Sequence, residues 1–301
     1  MFRGSYYFVF ALIGVMLLGL MLGGEPNKVK EEQAKLLPEP LIRLSDINQI
    51  ELKSPDASVT LENTEGDWQV LDRWNYPADQ EKVRGFLRQL LSAEKLERKT
   101  RKPENFSRLG VDDNATRVTV AGAEPFWLGK SNEGGRSGHF VRIGNDGVWL
   151  VSGQFSDVDA NPASWLAPEI INIDPSELRE VVVSHEREFL KAVVDEGSVY
   201  LDGIPAEQLR YAGIADSLQR VLTGVRMIDV VPANEFEALS ASALTATLVD
   251  GSKVDVRVLA QDGKYWLIRP GGDWVYEISS GTYDTMTKTS ADFIRQQDDQ
   301  R

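Results

Sequence analysis

Asp157, Asp159 and Asn161 stand at alternate positions, and that spacing reproduces the first three ligand positions of a calcium-binding loop. Such a loop also needs a glycine at its sixth position and a bidentate glutamate at its twelfth, where this chain has Pro162 and Pro168. The pattern therefore reads as a turn, in which Asp and Asn are common. Asn132-Glu133-Gly134-Gly135-Arg136-Ser137-Gly138 has the glycine content of a phosphate-cradling loop, but neither its Gly-Lys-Ser/Thr ending nor a following helix. Ser137 misses the Gly-x-Ser-x-Gly nucleophile elbow because His139 occupies the last position, which leaves a hairpin connection as the reading. His139 and His185 are the two histidines of the chain, and neither has metal-ligand spacing to acidic residues. The chain has no cysteine, which removes thiolate nucleophiles, thiolate metal sites and disulfides. No catalytic, cofactor-binding or metal-binding residue is therefore assigned, and no cofactor. A carboxylate pair for hydrolysis stays open as the least favoured activity, since two acidic side chains need only be close in space and there are 46 of them.

The remaining concentration of chemistry is a basic run, Lys95, Arg98, Lys99, Arg101 and Lys102, in a chain of net charge −13. Its default place is a solvated edge strand or loop. The functional alternative is contact with lipid headgroups or an acidic partner, with Arg98, Lys99, Arg101 and Lys102 as the contact surface. The acidic balance, 46 carboxylates against 33 basic residues, argues against a nucleic-acid partner. The seven tryptophans are scattered through strand-like segments, where core and interface packing is their default role.

These groups must be positioned by a chain that repeats itself. Ser45-Asp46-Ile47-Asn48-Gln49-Ile50 is echoed by Ser176-Glu177-Leu178-Arg179-Glu180-Val181, and Pro77-Ala78-Asp79-Gln80 by Pro205-Ala206-Glu207-Gln208. A period this long implies duplicated domains, because solenoid and propeller repeats run to about 20–50 residues. The boundaries read as an anchor over 1–24, a linker over 25–40, one repeat over 41–166, a second over 170–294 and a polar tail over 295–301. Tyr6 to Leu22 is an uncharged apolar run of 17 residues, which as a helix at about 1.5 Å per residue spans a bilayer core. Arg3 favours an inside N-terminus, leaving the bulk of the chain on the outer side of the membrane as a single-pass protein. Residues 25–40 are polar and closed by Pro38 and Pro40, which suits a tether.

Within each repeat, short alternating segments on either side of one long helix predict an α+β fold with mainly antiparallel sheet. The first helix opens at Pro77-Ala78-Asp79 and buries Val83, Phe86, Leu87, Leu90 and Leu91. The second starts at Pro205 and buries Tyr211, Ile214, Leu218, Val221 and Leu222.

Asp67-Trp68-Gln69-Val70, Tyr76-Pro77-Ala78-Asp79-Gln80-Glu81-Lys82-Val83, Leu109-Gly110-Val111-Asp112, Leu128-Gly129-Lys130, Phe140-Val141-Arg142 and Val148-Trp149-Leu150-Val151-Ser152 follow one another in an order that resembles the bacterial family named domain of unknown function 4340. The resemblance implies a membrane-anchored, tandemly repeated extracytoplasmic protein encoded beside an ABC-type transporter and a gliding-motility-like auxiliary protein, and it carries no site residues across. The function that follows is a non-enzymatic accessory subunit of an ABC-type transporter assembly, in contact with permease or auxiliary subunits and with the bilayer. A binding module for an exported glycan, lipid or peptide, held in the groove between the repeats, is the alternative.

Overall fold

The computed structural model describes residues 34–37, 46–185 and 188–295. The Tyr6–Leu22 run lies outside the described residues, as do most of the tether and residues 296–301. Among the described residues no helix is long and apolar enough to cross a membrane.

The chain folds into two antiparallel nine-stranded sheets with few helices, an α+β protein. The first sheet contains β1 (Gln49–Lys53), β2 (Ser58–Thr64), β3 (Asp67–Val70), β4 (Tyr76–Pro77), β5 (Lys95–Thr100), β6 (Thr116–Val120), β7 (Phe126–Ser131), β8 (His139–Ile143) and β9 (Gly147–Val151), in the order β4-β3-β2-β1-β6-β7-β8-β9-β5. Strict alternation sets the core face: Ile50 and Leu52 on β1, Val59 and Leu61 on β2, and Val118 on β6 are fully buried, while Glu51 and Lys53 are exposed. Each such aliphatic side chain contributes about 1.5–3 kcal/mol by leaving water.

Helix α1 (Gln80–Ser92) begins where the sequence predicts it. The Asp79 carboxylate accepts the Lys82 backbone N–H at 3.0 Å, a cap that satisfies one orphan donor of the first turn. Val83, Phe86, Leu87 and Leu90 are buried, and Phe86 meets Phe155 edge-on at 6.5 Å and Trp165 at 5.6 Å. The Gln80 side chain ties the helix start to β3, accepting from the Trp68 N–H at 3.0 Å and donating to its carbonyl at 2.8 Å.

The second sheet contains β10 (Glu169–Ile171), β11 (Leu178–His185), β12 (Glu188–Asp195), β13 (Ser198–Leu201), β14 (Val225–Pro232), β15 (Ser242–Leu248), β16 (Lys253–Gln261), β17 (Lys264–Ile268) and β18 (Trp274–Ile278). Read from β13, its order is β13-β12-β11-β15-β16-β17-β18-β14-β10. This matches β3-β2-β1-β6-β7-β8-β9-β5 strand for strand, with β4 and β10 added at opposite ends. The face of each sheet turned away from the shared core is covered by the segment that precedes the second meander. Phe106, in the short helix α2 (Phe106–Leu109), does this in the first sheet and Phe236, 5.0 Å from Trp266, in the second.

Two readings need correction. The long helix from Pro205 is absent: residues 206–208 make a single 3-10 turn and only Asp216–Gln219 (α3) is helical. Leu209 is extended and bridges Ile294, as Ala78 bridges Leu166 in the first half, and Gly213 sits at φ +80. A left-handed residue interrupts the helical ladder, so the chain crosses this region as successive turns. Leu218, Val221 and Leu222 are buried as the pattern requires, but Tyr211 is 62% exposed. A seven-residue helix, α4 (Ser280–Met286), follows β18 instead, with its own Ser279 cap.

The tether is docked at its described end. Leu36 and Leu37 are buried against the first sheet, Leu36 N–H donates to the Ala93 carbonyl at 2.8 Å, and Lys35 pairs with Glu94 at 3.1 Å.

Candidate functional site

Strand β5 stands at the edge of the first sheet, so the basic run occupies an edge strand. Its cations converge on Asp146, in the tight turn between β8 and β9. Arg98 donates to an Asp146 carboxylate oxygen at 2.7 Å, with the Lys95 ammonium at 3.6 Å and the Arg101 guanidinium at 3.8 Å. The Trp149 indole N–H donates to the other Asp146 oxygen at 2.8 Å, and Arg98 and Lys95 lie over the Trp149 ring at 4.6 and 5.6 Å. Lys99 pairs with Glu97 at 2.7 Å and Lys102 is exposed. Two bulges in the β5–β9 ladder bring successive side chains to this one edge. The structure therefore brings Arg98 and Arg101 together through a carboxylate and keeps Lys99 on a separate pair. Glu94, Glu97, Glu104 and Asp146 stand against the five cations, which leaves a small local positive surplus on an acidic molecule, suited to carboxylate or phosphate groups of a partner. Sequence reading missed Asp146 and Trp149 as partners. Asn145-Asp146-Gly147 has the residue types of a tight turn, but nothing local couples it to Arg98, 48 residues away.

The segments that carried the resemblance meet in space. A Cβ on Gly129 would lie 2.4 Å from Val111 and 2.6 Å from the Leu109 carbonyl, so glycine lets the 109–112 segment lie against β7. Arg142 packs its guanidinium 3.8 Å from the Trp127 ring centroid and 5.3 Å from that of Phe106, and pairs with Asp113 at 3.1 Å. These residues clamp a loop to a sheet.

The other sequence candidates are structural. Asn161 caps a 3-10 turn by accepting the Ala163 N–H at 3.1 Å, while Asp159 accepts the Asn161 N–H at 2.8 Å. Asn132 closes the glycine-rich β7–β8 loop by donating to the Gly134 and Arg136 carbonyls. His139 is buried on β8 with Nδ1 3.2 Å from the Gly153 carbonyl, and His185 Nδ1 lies 2.6 Å from the Ser242 hydroxyl. Among the described residues no group of three or more His, Asp or Glu is placed to hold a metal ion.

A second candidate lies where the sheets meet. Arg73 donates through Nε and a terminal nitrogen to the two Asp229 oxygens at 2.6 and 2.9 Å, a bidentate pair across the junction. This bond holds the Arg73 pKa above its ordinary value, against burial, and a bulge in β14 presents Asp229. Tyr76 packs edge-on against Trp274 at 5.2 Å and Tyr276 at 6.4 Å. Burial, and secondarily the neighbouring Tyr276, pushes the Tyr76 phenol up to about 12. Between these contacts opens a cleft of about 560 Å³ lined by Trp74, Pro232, Ala233, Asn234, Glu235, Gly272, Asp273 and Trp274. Trp74 (φ 53, ψ 38) and Asn75 (φ 61) are both left-handed, and the Trp74 ring is 45% exposed. For a bulky residue this conformation is strained. No sequence signal singled out Trp74, because the residues that line the cleft with it, 232–235 and 272–274, come from the second half of the chain.

No curated protein and no solved structure matches the chain. The model of the family described as Domain of unknown function (DUF4340) matches residues 68–246, from β3 of the first sheet into β15 of the second. That match spans more than half of the sequence and crosses both sheets, and the chain belongs to the DUF4340 family.

Proposed function

We propose that this protein is a non-enzymatic accessory subunit of an ABC-type transporter assembly, anchored in the bacterial inner membrane by Tyr6–Leu22 with its two sheets outside. The observation that carries the reading is the cationic edge at β5: Arg98, Lys99, Arg101 and Lys102 gathered on one margin of a molecule of net charge −13. Opposite charges across an interface steer encounter and fix register. The resemblance supplies the partner class, since it implies a place beside transporter genes.

We also read the two halves as tandem homologous repeats. The matching strand orders support this, as do the equivalent bridges Ala78–Leu166 and Leu209–Ile294. In this reading the common strands are scaffold, and the cationic edge and the junction are the parts free to serve a partner.

Affinity isolation of the full chain from membranes in mild detergent tests the assignment. Transporter subunits should co-isolate, and replacing Arg98, Lys99, Arg101 and Lys102 with Ser should lower their recovery several-fold without changing the circular dichroism spectrum. Asp146 keeps Lys95 and the Trp149 N–H as partners in that variant, so the β8–β9 turn is not left with an unpaired charge. Repeated isolation without transporter subunits overturns the proposal, and undiminished recovery by the variant removes the β5 edge as the contact.

A further inference from the structure

We infer that the cleft between the two sheets binds a neutral saccharide, with the Trp74 ring as its stacking platform. The cleft draws Trp74 from the first sheet's side and residues 232–235 and 272–274 from the second, and junctions between units are common ligand sites. Its volume of about 560 Å³ falls inside the usual range of small-ligand sites, about 300–1,000 Å³.

The lining chooses the ligand class. Its residues include Glu235 and Asp273 but no Lys or Arg, so they offer an anionic ligand no cationic partner. Asn234, Glu235 and Asp273 offer several polar groups, which an acyl chain would leave unpaired. A compact cation could pair with the carboxylates, but cation–π attraction at an exposed ring is weak, about 0.5–1 kcal/mol, and Trp74 is 45% exposed. A pyranose presents an apolar C–H face to an open indole and hydroxyls to carboxylates and amides, which uses every kind of group present.

The Trp74 segment is also one of the places where the halves differ. Six residues, Leu71 to Tyr76, join Val70 to Pro77, whereas three, Asp202 to Ile204, join Leu201 to the equivalent Pro205. The extra length includes the strained Trp74, and Arg73 is held to Asp229 immediately before it. Strain sustained beside a fixed anchor, with a large ring left open to solvent, fits a binding role better than a packing one.

The test uses the full chain in mild detergent, titrated with chitobiose, maltotriose and cellotriose and followed by tryptophan fluorescence and calorimetry. Choline and glucose 6-phosphate serve as the cationic and anionic probes. At least one neutral sugar should bind saturably, and Trp74→Ala should weaken it about tenfold or more, equivalent to about 1.4 kcal/mol. Trp74→Asn, which tolerates the left-handed backbone, should lose binding equally while the thermal midpoint holds, separating loss of the ring from loss of the fold. No binding of any sugar, preference for choline or glucose 6-phosphate, or sugar binding indifferent to both Trp74 variants overturns the inference. Each readout is independent of transporter co-isolation, so this proposal and the partner assignment fail separately.

Discussion

Tyr76 is buried in the junction, edge-on to Trp274 and Tyr276, and its environment favours the neutral phenol. An unfolded tyrosine titrates near 10, and in the fold burial moves Tyr76 up to about 12. The stabilisation attached to the neutral form is therefore complete below pH 10 and is lost as the pH rises toward 12, because the unfolded chain gives up its proton first. Tyr276 is shifted in the same direction, also chiefly by burial. Urea midpoints measured from pH 9 upward should fall through this window, and Tyr76→Phe should make the fall shallower while leaving the neutral-pH midpoint nearly unchanged. A slope unaltered by Tyr76→Phe would mean that other groups carry the alkaline sensitivity.

At the scale of elements, the region 205–222 separates pattern from structure. Its apolar spacing satisfied a helix, and Leu218, Val221 and Leu222 are buried accordingly, but turns of the 3-10 and α type bury the same spacing without a continuous ladder. Gly213 decides between the two. In a helix interior Gly213→Ala would stabilise by about 1 kcal/mol, whereas at φ +80, with a Cβ 3.0 Å from the Asp216 carboxylate, it should destabilise by about 1 kcal/mol or more. The sign of the change in urea midpoint tests the local conformation. Helix α1 was legible because Asp79, Gln80 and the Val83–Leu90 stripe agree on one answer at short range. The meander strands were legible as short alternating segments, and Gln49–Lys53 and His139–Ile143 bury every second residue accordingly. β14 went unread although Val225, Met227 and Val230 are buried, because a bulge at Met227–Asp229 shifts its buried positions out of period two and an apolar residue, Ile228, stands on the exposed face. The cationic edge was half legible: the run of basic residues is local, whereas its Asp146–Trp149 counterpart is supplied by the fold. The cleft was legible only as a groove expected between the repeats and not in its residues, since Trp74 and Trp274 come to line it only through the packing of one half on the other.

For the whole molecule, the question is whether two sheets with one strand order behave as two domains or as one. The principal core runs without a break from Val70, Tyr76, Trp165 and Leu166 of the first half into Met227, Val230 and Tyr276 of the second. The Arg73–Asp229 pair adds a polar tie, each side chain about three-quarters buried. A shared core means that opening one sheet exposes apolar surface of the other, so unfolding should be a single cooperative event despite the length of the chain. Chemical denaturation followed by far-ultraviolet circular dichroism and by tryptophan fluorescence should give coincident transitions. Arg73→Ala and Asp229→Ala should each lower stability by about 1–3 kcal/mol, because each strands a partly buried charged partner. The double variant should cost less than the two single changes added, because the second substitution removes the group that the first left unpaired. Two separated transitions in the unaltered protein would mean that the core contact is too weak to couple the sheets. Additive costs would mean that Arg73 and Asp229 act independently, and then the tie that holds Trp74 at the cleft would have to come from Tyr76 and its aromatic neighbours instead.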